Sequence, residues 1–379
     1  MHKGGFVTSV VHMTTVHPRD DIRIFNKECL TLVSSGYSVD LLVADGKGDN
    51  HVDGVDISDI GKGNSRLYRF LISTYKLYRA ALKRDADIYH FHDPELIFIG
   101  VLLRRKKKVV VFDAHEDLPS QILSKHYIPK PVRKPLSLIM QVLERFLCPS
   151  FSAIVCATSH IEEKFSKFNK TTVTVSNYPL LSVYKNQLLA KNTVSKPYII
   201  YAGAINEIRG IRFLIEAMTK VKSDVDLVVC GTVTHNATDF ENSVKESANI
   251  RFLGQLQREE LEPLLAQAKA GVVTFLPVPN HINSQPNKLF EYMSFGLPVI
   301  CSNFELWQEV VNGNNCGVCV APDSAEEIAR AIDKVVLDQS MATVMGNNGK
   351  VAVETTYNWK IESSKLQSLY ESLTLECRG

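Results

Sequence analysis

The sequence predicts an α/β protein of two Rossmann-like, doubly wound domains, and three observations carry that reading. Short, continuously apolar runs recur along the chain with helical segments between them, as strands buried on both faces of a parallel sheet require. The alternation starts afresh after Asn177-Tyr178-Pro179 and a polar stretch ending at Lys196. At 379 residues the chain is also long for one core, and roughly two domains of 150–200 residues are expected.

In the first half, strands are expected at 6–11, 38–43, 88–91, 109–112, 153–157 and 172–175, with helices near 21–35, 63–84, 94–103, 131–147 and 159–167. In the second half they are expected at 198–202, 227–230, 250–252, 271–275, 299–301 and 317–320. The domains then run 1–186 and 187–356, with a closing helical segment 357–379 returning to the first. Doubly wound sheets bind ligands beyond the carboxyl ends of their strands, so a cleft between two such ends is expected. One element is unusually informative. Pro286 suits a first helical turn, Leu289, Tyr292, Met293 and Phe295 follow at helical spacing, and Gly296 stops the helix before the apolar run Val299-Ile300-Cys301.

Composition narrows the class. With 45% hydrophobic and 22% charged residues the chain reads as globular. No apolar run reaches the ~18–20 residues of a membrane span, and Met1-His2-Lys3-Gly4-Gly5 has no signal-peptide core, which points to the cytoplasm. Eight cysteines at irregular spacing suit reduced thiols; Cys316-Gly-Val-Cys319 lacks the second pair or histidine that a zinc site needs. Residues 1–186 hold 26 basic and 19 acidic side chains, a net +7, and the remainder 17 and 22, a net −5. That polarity favours an anionic partner on the N-terminal half. The basic residues concentrate on the helix 63–84, where Leu67, Phe70, Leu71, Tyr75 and Tyr78 form an apolar side, and in Arg104-Arg105-Lys106-Lys107-Lys108. Both suit a peripheral contact with anionic lipid, and both equally suit a core-packed helix and a solvated turn. No nucleic-acid-binding module is present, and nucleic acid is not expected. Asp85-Ala86-Asp87, just before a strand, reads as a turn rather than a metal site.

Lys288 and Glu291 lie three apart on one helical face, next to helix amides that favour anions, so a phosphate and a sugar hydroxyl could share the site. An ordinary αβ unit with solvated charges would look the same. The surrounding motifs carry a resemblance. Tyr201-Ala202-Gly203-Ala204-Ile205, Arg209-Gly210, Val228-Val229-Cys230-Gly231, Phe252-Leu253-Gly254-Gln255-Leu256, Lys288 to Val299 and Glu309-Val310-Val311 resemble, in order and spacing, the donor domain of retaining GT-B-fold glycosyltransferases of family 4, also called glycosyl transferases group 1. Tyr89-His90-Phe91-His92-Asp93-Pro94, Phe112-Asp113-Ala114-His115-Glu116 and Val175-Ser176-Asn177-Tyr178-Pro179 are similar to the acceptor domain, and Tyr357-Asn358-Trp359 to the segment that crosses back.

What the resemblance implies is a bacterial enzyme of polysaccharide or O-antigen type that moves a hexose, with retention, from a UDP- or GDP-sugar to a lipid-linked saccharide at the inner face of the cell membrane. It implies catalytic roles for His115, Arg209 and Lys288. It implies donor contacts at Gly203, Gly231, Gly254, Leu256, Asn283, Asn287, Leu289 and Glu291, with Glu291 on the ribose and the backbone at Gly254 to Leu256 against the base. Acceptor contacts fall to Asp20, Arg23, Asp93 and Glu116, although Asp93 reads equally as a helix cap. No metal cofactor is expected, because the cations and helix amides would stabilise the departing diphosphate. Three departures from the family pattern stand out: Asn283 replaces a glutamate, Ala204 an arginine, and the loop His17-Pro18-Arg19-Asp20-Asp21 has no glycine. A nucleotide-sugar epimerase of the same architecture, or a non-catalytic binding subunit, remains an alternative. A dinucleotide-dependent oxidoreductase is disfavoured, since no Gly-x-Gly-x-x-Gly follows the first strand.

Overall fold

The computed structural model describes residues 7–125, 128–181, 196–234, 240 and 247–378. The chain divides into two compact units, Met1–Asn177 with Trp359–Gly379, and Tyr178–Asn358. The boundary expected at 186/187 lies outside the described residues.

The first unit is built on eight strands: β1 Ser9–Met13, β2 Ser38–Val43, β3 Asn50–Val52, β4 Val55–Asp59, β5 Ile88–Phe91, β6 Val109–Ala114, β7 Ala153–Cys156 and β8 Thr172–Thr174. Their order is β3-β4-β2-β1-β5-β6-β7-β8, parallel throughout except for the β3–β4 pair. The second unit has β9 Tyr198–Ala202, β10 Asp226–Cys230, β11 Ile250–Gly254, β12 Gly271–Val273, β13 Val299–Ser302 and β14 Gly317–Val320, ordered β11-β10-β9-β12-β13-β14 and all parallel. In each sheet the chain winds outward from the first strand, then crosses to its other side. Switch points therefore fall at β1/β5 and β9/β12, where the loops leaving the carboxyl ends diverge and open a crevice. The expected two-domain, doubly wound architecture is the one observed.

The departures have local causes. β1 ends at Met13, two residues beyond expectation, because the polar His12 is fully buried and bonded to His92 rather than marking a strand end. The hairpin β3–β4 was not expected at all. Asp53 and Gly54 join its strands with φ of 50° and 84°, the two left-handed residues that a tight hairpin turn needs. Pro286 does not open the 287–294 helix from within but precedes it in an extended conformation, while Gly296, at φ 70°, stops it in the left-handed region. Cys316 and Cys319 part company: the first turns to the carbonyls of Val310 and Val311, and the second lies 3.6 Å from Cys301.

The expected helix 63–84 begins at Arg66, where Ser65 accepts from the Tyr68 amide, and reaches Arg84. Its buried side is Ser73, Thr74, Leu77 and Ala81, whereas Leu67, Phe70, Leu71 and Tyr75 are exposed. The face that meets the domain is thus the one carrying Leu77 and Ala81, and the apolar residues expected to pack turn outward.

The last helix, Trp359–Arg378, packs on the first unit. Trp359 donates to Thr31 at 3.0 Å, Glu362 accepts from the Ser176 amide at 2.7 Å, and the buried Tyr370 hydroxyl meets His90 Nδ1 at 2.7 Å. Replacing Tyr370 with Phe leaves that nitrogen buried without a partner, so the first unit should lose about 1–3 kcal/mol. Faster amide exchange in β1 and β5, with the second unit unchanged, is the expected readout.

Candidate functional site

The second unit gathers three glycines at the carboxyl ends of adjacent strands. The Gly203 amide donates to the Cys230 carbonyl at 2.7 Å, and the Gly231 amide to the Gly254 carbonyl at 2.6 Å. A Cβ on Gly231 would stand 1.9 Å from the Gly203 oxygen, and one on Gly203 would stand 2.0 Å from Lys288 Cε. Only a residue without a side chain lets these loops close up and admits the lysine over them.

Lys288 sits in the first turn of the helix Asn287–Ser294, whose apolar side, including Leu289, Phe290 and Tyr292, is locked in the core. The Tyr292 hydroxyl accepts from the Ala202 amide at 2.9 Å, which fixes the helix against β9. Burial and the nearby Arg209 charge, against the pull of Glu291, bring the Lys288 amine down to about 8. Arg209 ends the short turn Glu207–Arg209; Asn206 caps it, and its guanidinium lies 5.2 Å from the Phe275 ring centroid. Among the described residues neither Lys288 nor Arg209 has a carboxylate at ion-pair distance. Two partly buried cations side by side without counter-charge form a site for an anion.

Glu291 lies one turn along the same helix, 3.4 Å from Arg258, which also holds Glu262 at 2.6 Å. Burial raises its carboxyl above the usual range while Arg258 and Lys288 oppose that shift. Leu289 is fully buried and its amide is bonded to Pro286, so it supports the helix from beneath. Leu256 packs against the core, while Asn283 and Asn287 are exposed. Arg258, Phe275 and His281 were not anticipated. The His281 ring lies 4.8 Å from Phe275 and donates through Nδ1 to the Leu276 carbonyl at 3.1 Å. Only their position just after a strand end or early in a helix could have flagged them.

In the first unit the centre is Asp113, at the buried end of β6. Arg23 grips both its oxygens at 2.9 and 2.7 Å and donates to the Val175 carbonyl at 2.8 Å. Burial works against ionisation of Asp113, yet Arg23 and His115 outweigh it and hold the carboxyl well below its usual range. Glu28 moves the other way, because burial and the Asp113 charge keep its proton on. Arg23, Lys27 and Glu28 come from one segment, Ile22–Cys29, wound as a π-helix. At more than four residues per turn, positions four and five apart share its inner face.

The histidines follow in a chain. His12 Nδ1 lies 2.9 Å from His92 Nε2, His92 Nδ1 3.1 Å from Asp113, and His115 Nε2 2.8 Å from the same oxygen. Burial keeps His12 neutral and draws His92 down to about 4. An ionised Asp113 accepts only, so His92 donates through Nδ1 and accepts a hydrogen bond from His12 at Nε2, and His115 donates through Nε2. His115, partly exposed, therefore presents Nδ1 as the free acceptor. His12, Glu28, His90 and His92 also cluster closely enough to suggest a metal. Glu28 stands 4.0 Å from a nitrogen of each histidine, wider than the ~3.3 Å between ligands of a tetrahedral zinc, and Arg23 lies 3.1 Å from it. Within the cluster only His12 and His92 are hydrogen-bonded to each other, and both Glu28 oxygens lie buried beside the Arg23 cation without a hydrogen-bond donor among the described residues.

Arg23 is thus buried scaffolding under His115 rather than a side chain open to an acceptor. Asp93 is equally internal. It makes no helix-cap bond, and instead accepts from the Thr14 hydroxyl at 2.9 Å and the Thr15 amide at 2.6 Å, which shapes the loop after β1. Asp20 and Glu116 are exposed. His17 was missed as a site residue. It lies 3.7 Å from Asp93, and its ring is 5.2 Å from that of His115. Burial opposes its charge, but Asp21 and Asp93 overcome that and raise its pKa. The loop is organised by Asp21, which accepts from the Arg23 and Ile24 amides, rather than by Asp20.

Residues 28–177 match the family model described as Glycosyltransferase Family 4, and residues 186–352 the model described as Glycosyl transferases group 1. The chain is 26% identical over 260 residues to a capsular polysaccharide biosynthesis glycosyltransferase, CapM, of Staphylococcus aureus, a match spanning 64% of this chain and 66% of the relative. It spans about half the length, 46% and 49%, of two uncharacterized glycosyltransferases of Methanocaldococcus jannaschii. Among solved structures, sucrose-phosphate synthase from Thermosynechococcus elongatus superposes with a TM-score of 0.79 at 18% identity, covering 97% of this chain and all of the other. Anabaena Alr3699/HepE in complex with UDP and glucose gives 0.71 at 13%, covering 96% and 100%. The fold is that of GT-B glycosyltransferases.

Asp113 and Glu28, neighbouring buried carboxyls of the first unit, should answer oppositely to neutralisation. Asp113→Asn strands Arg23 and should cost about 3–5 kcal/mol. Glu28 is protonated when folded but ionises above about pH 4.3 when unfolded, so its burial costs more stability as pH rises above that value. Glu28→Gln should therefore stabilise, by an amount that grows between about pH 5 and 8. Thermal unfolding of both variants across that range is the measurement.

Proposed function

We propose that the chain is a retaining glycosyltransferase, transferring a hexose from a UDP- or GDP-sugar to a lipid-linked saccharide acceptor in surface polysaccharide synthesis, at the cytoplasmic face of the membrane. The observation that carries the reading is the pair Arg209 and Lys288, cations without counter-ions set over the Gly203 loop in the unit that matches the group 1 model. A diphosphate supplies the missing charge. As the bond to the sugar breaks, negative charge grows on the leaving oxygens, and fixed cations at that point lower the barrier without a metal. Glu291 accepts from ribose hydroxyls. In the first unit His115, held by Asp113, offers its Nδ1 as an acceptor for a proton from a sugar hydroxyl. The named relatives support the pathway: one serves capsular polysaccharide biosynthesis, and another, from Rhizobium meliloti, lipopolysaccharide core biosynthesis. The Anabaena neighbour's UDP and glucose support the donor class. Incubation with a panel of nucleotide sugars and short lipid-linked acceptors, read by mass spectrometry, tests the reading. An isomerised free nucleotide sugar would indicate an epimerase instead, and binding without any product a non-catalytic subunit.

Lys288→Ala and Arg209→Ala should each lower turnover roughly 10²-fold or more, with a smaller effect on donor affinity. Glu291→Ala should weaken donor binding by about 1.5–3 kcal/mol and leave the fold intact. Single-turnover kinetics and calorimetry separate the two effects.

Donor binding should also depend on pH through Lys288. The free amine titrates near 8, and the diphosphate binds its protonated form. Binding then takes up a proton above that pH, and affinity falls as pH rises through it, approaching tenfold per unit. Lys288→Arg should flatten the profile, since guanidinium stays charged. Calorimetry in buffers of different ionisation enthalpy measures the proton uptake.

A further inference from the structure

The helix Lys130–Leu147 is the least enclosed long element of the first unit. Across 18 residues its one buried side chain is Glu144, which turns inward to Lys164 at 2.5 Å. Its inner stripe, Leu136, Met140, Leu143 and Leu147, is half-buried. A second apolar stripe, Val132, Ile139, Val142 and Phe146, flanked by Leu138, faces solvent; Phe146 is 75% exposed and Leu138 60%. The inner stripe suffices to dock the helix on the domain, and the outer one is left exposed among the described residues. The helix Ile97–Arg105 packs between this element and the helix that ends at Arg84, and it too turns Phe98 and Leu102 outward. With Leu67, Phe70, Leu71 and Tyr75 beyond it, the surface outgrows the isolated apolar residues of ordinary monomers.

Charge selects the occupant. From Arg66 to Arg84, from Ile97 to Arg105 and from Lys130 to Leu147 the only carboxylate is the inward Glu144. Lys76, Lys83, Arg105, Lys130, Lys134 and Arg145 are all exposed. A second copy of the chain would bring like charges face to face across an isologous contact. An apolar face flanked by basic residues, with no exposed carboxylate along its three helices, fits the boundary between headgroups and acyl chains of an anionic bilayer.

We propose that the helix Lys130–Leu147 inserts its outer stripe into an anionic membrane, with the helices ending at Arg84 and Arg105 lying on the same surface. This deepens the reading of a lipid-borne acceptor, on which its biological use rests, but the membrane contact is measurable without acceptor or turnover. It also moves the expected contact. Of the basic residues first singled out, Arg69 is bound to Glu95, Lys108 to Asp85, and Arg104 to the carbonyls of Ser150 and Lys108. Their charge is largely engaged inside the unit.

The test uses the full chain. Trp307 and Trp359 are both buried, so in Phe146→Trp the added emission reports this site. With vesicles of equal parts phosphatidylglycerol and phosphatidylcholine it should shift to the blue and be quenched by brominated lipid. Phosphatidylcholine alone should give little change. Ile139→Gln with Val142→Gln and Phe146→Gln should reduce sedimentation with the anionic vesicles roughly tenfold or more, while helical circular dichroism and donor binding persist. Unchanged Phe146→Trp emission on anionic vesicles would overturn the proposal whether or not the triple variant folds. So would a wild-type dimer by light scattering that the triple variant dissociates, because a second copy would then cover the face. Vesicle binding by a chain that transfers no sugar would leave this inference standing and refute only the catalytic reading.

Discussion

The first unit depends on one buried ion pair. Asp113 ends β6 fully enclosed and remains charged because Arg23 meets both of its oxygens. Since Arg23 also holds the Val175 carbonyl, the pair ties the segment after β1 to β6 and to the chain just beyond β8. A buried charge is tolerable only when its bonds are made. Here the bonds it demands also set the ring of His92 and, through it, of His115. The final helix closes the same region, with Tyr370 on His90 and Glu362 on the Ser176 amide. Residues more than two hundred positions apart thus share one electrostatic requirement.

The second unit solves the opposite problem. Its charges at the strand ends are left open: burial first, and then the Arg209 charge, depress the Lys288 pKa, with Glu291 opposing them. Such an arrangement costs stability in the free protein. It persists because the surrounding packing over-determines it. Tyr292 bonds the Ala202 amide, and Gly210, at φ 75°, admits the Thr274 carbonyl where a Cβ would stand 1.8 Å from it. One unit therefore buries its charges in pairs, and the other holds two apart for a ligand.

That contrast explains what the sequence disclosed. The doubly wound class and most strands follow from the alternation of apolar runs and helical patterns, which is a local property, whereas the strand order came only from the structure. Lys288, Glu291 and the three glycines were legible because they sit at fixed offsets from strand ends and a helix start. The partners were not. Asp113 looked like one member of a motif, although its Arg23 contact crosses ninety positions. Lys27, four residues after Arg23, would share its face in an α-helix too, but Glu28, five after, joins them only because the helix is wound wider. The Asp53-Gly54 turn, by contrast, carried a plain local signal that went unread amid polar neighbours.

Amphipathicity was legible in form but not in sign. Periodicity divides a helix into faces, yet the face that meets the core is chosen by the space the sheet leaves. Between Arg66 and Arg84 the buried residues are Ser73, Thr74, Leu77 and Ala81, and Phe70, Leu71 and Tyr75 are turned out. In Lys130–Leu147 the apolar residues form one broad face, and periodicity alone could not say how much of it the domain would cover. What decides it is Glu144: a carboxylate with a lysine partner at 2.5 Å fixes the inner face by an ion pair that water would weaken. The stripe opposite is left to whatever solvent or surface the basic rim draws near.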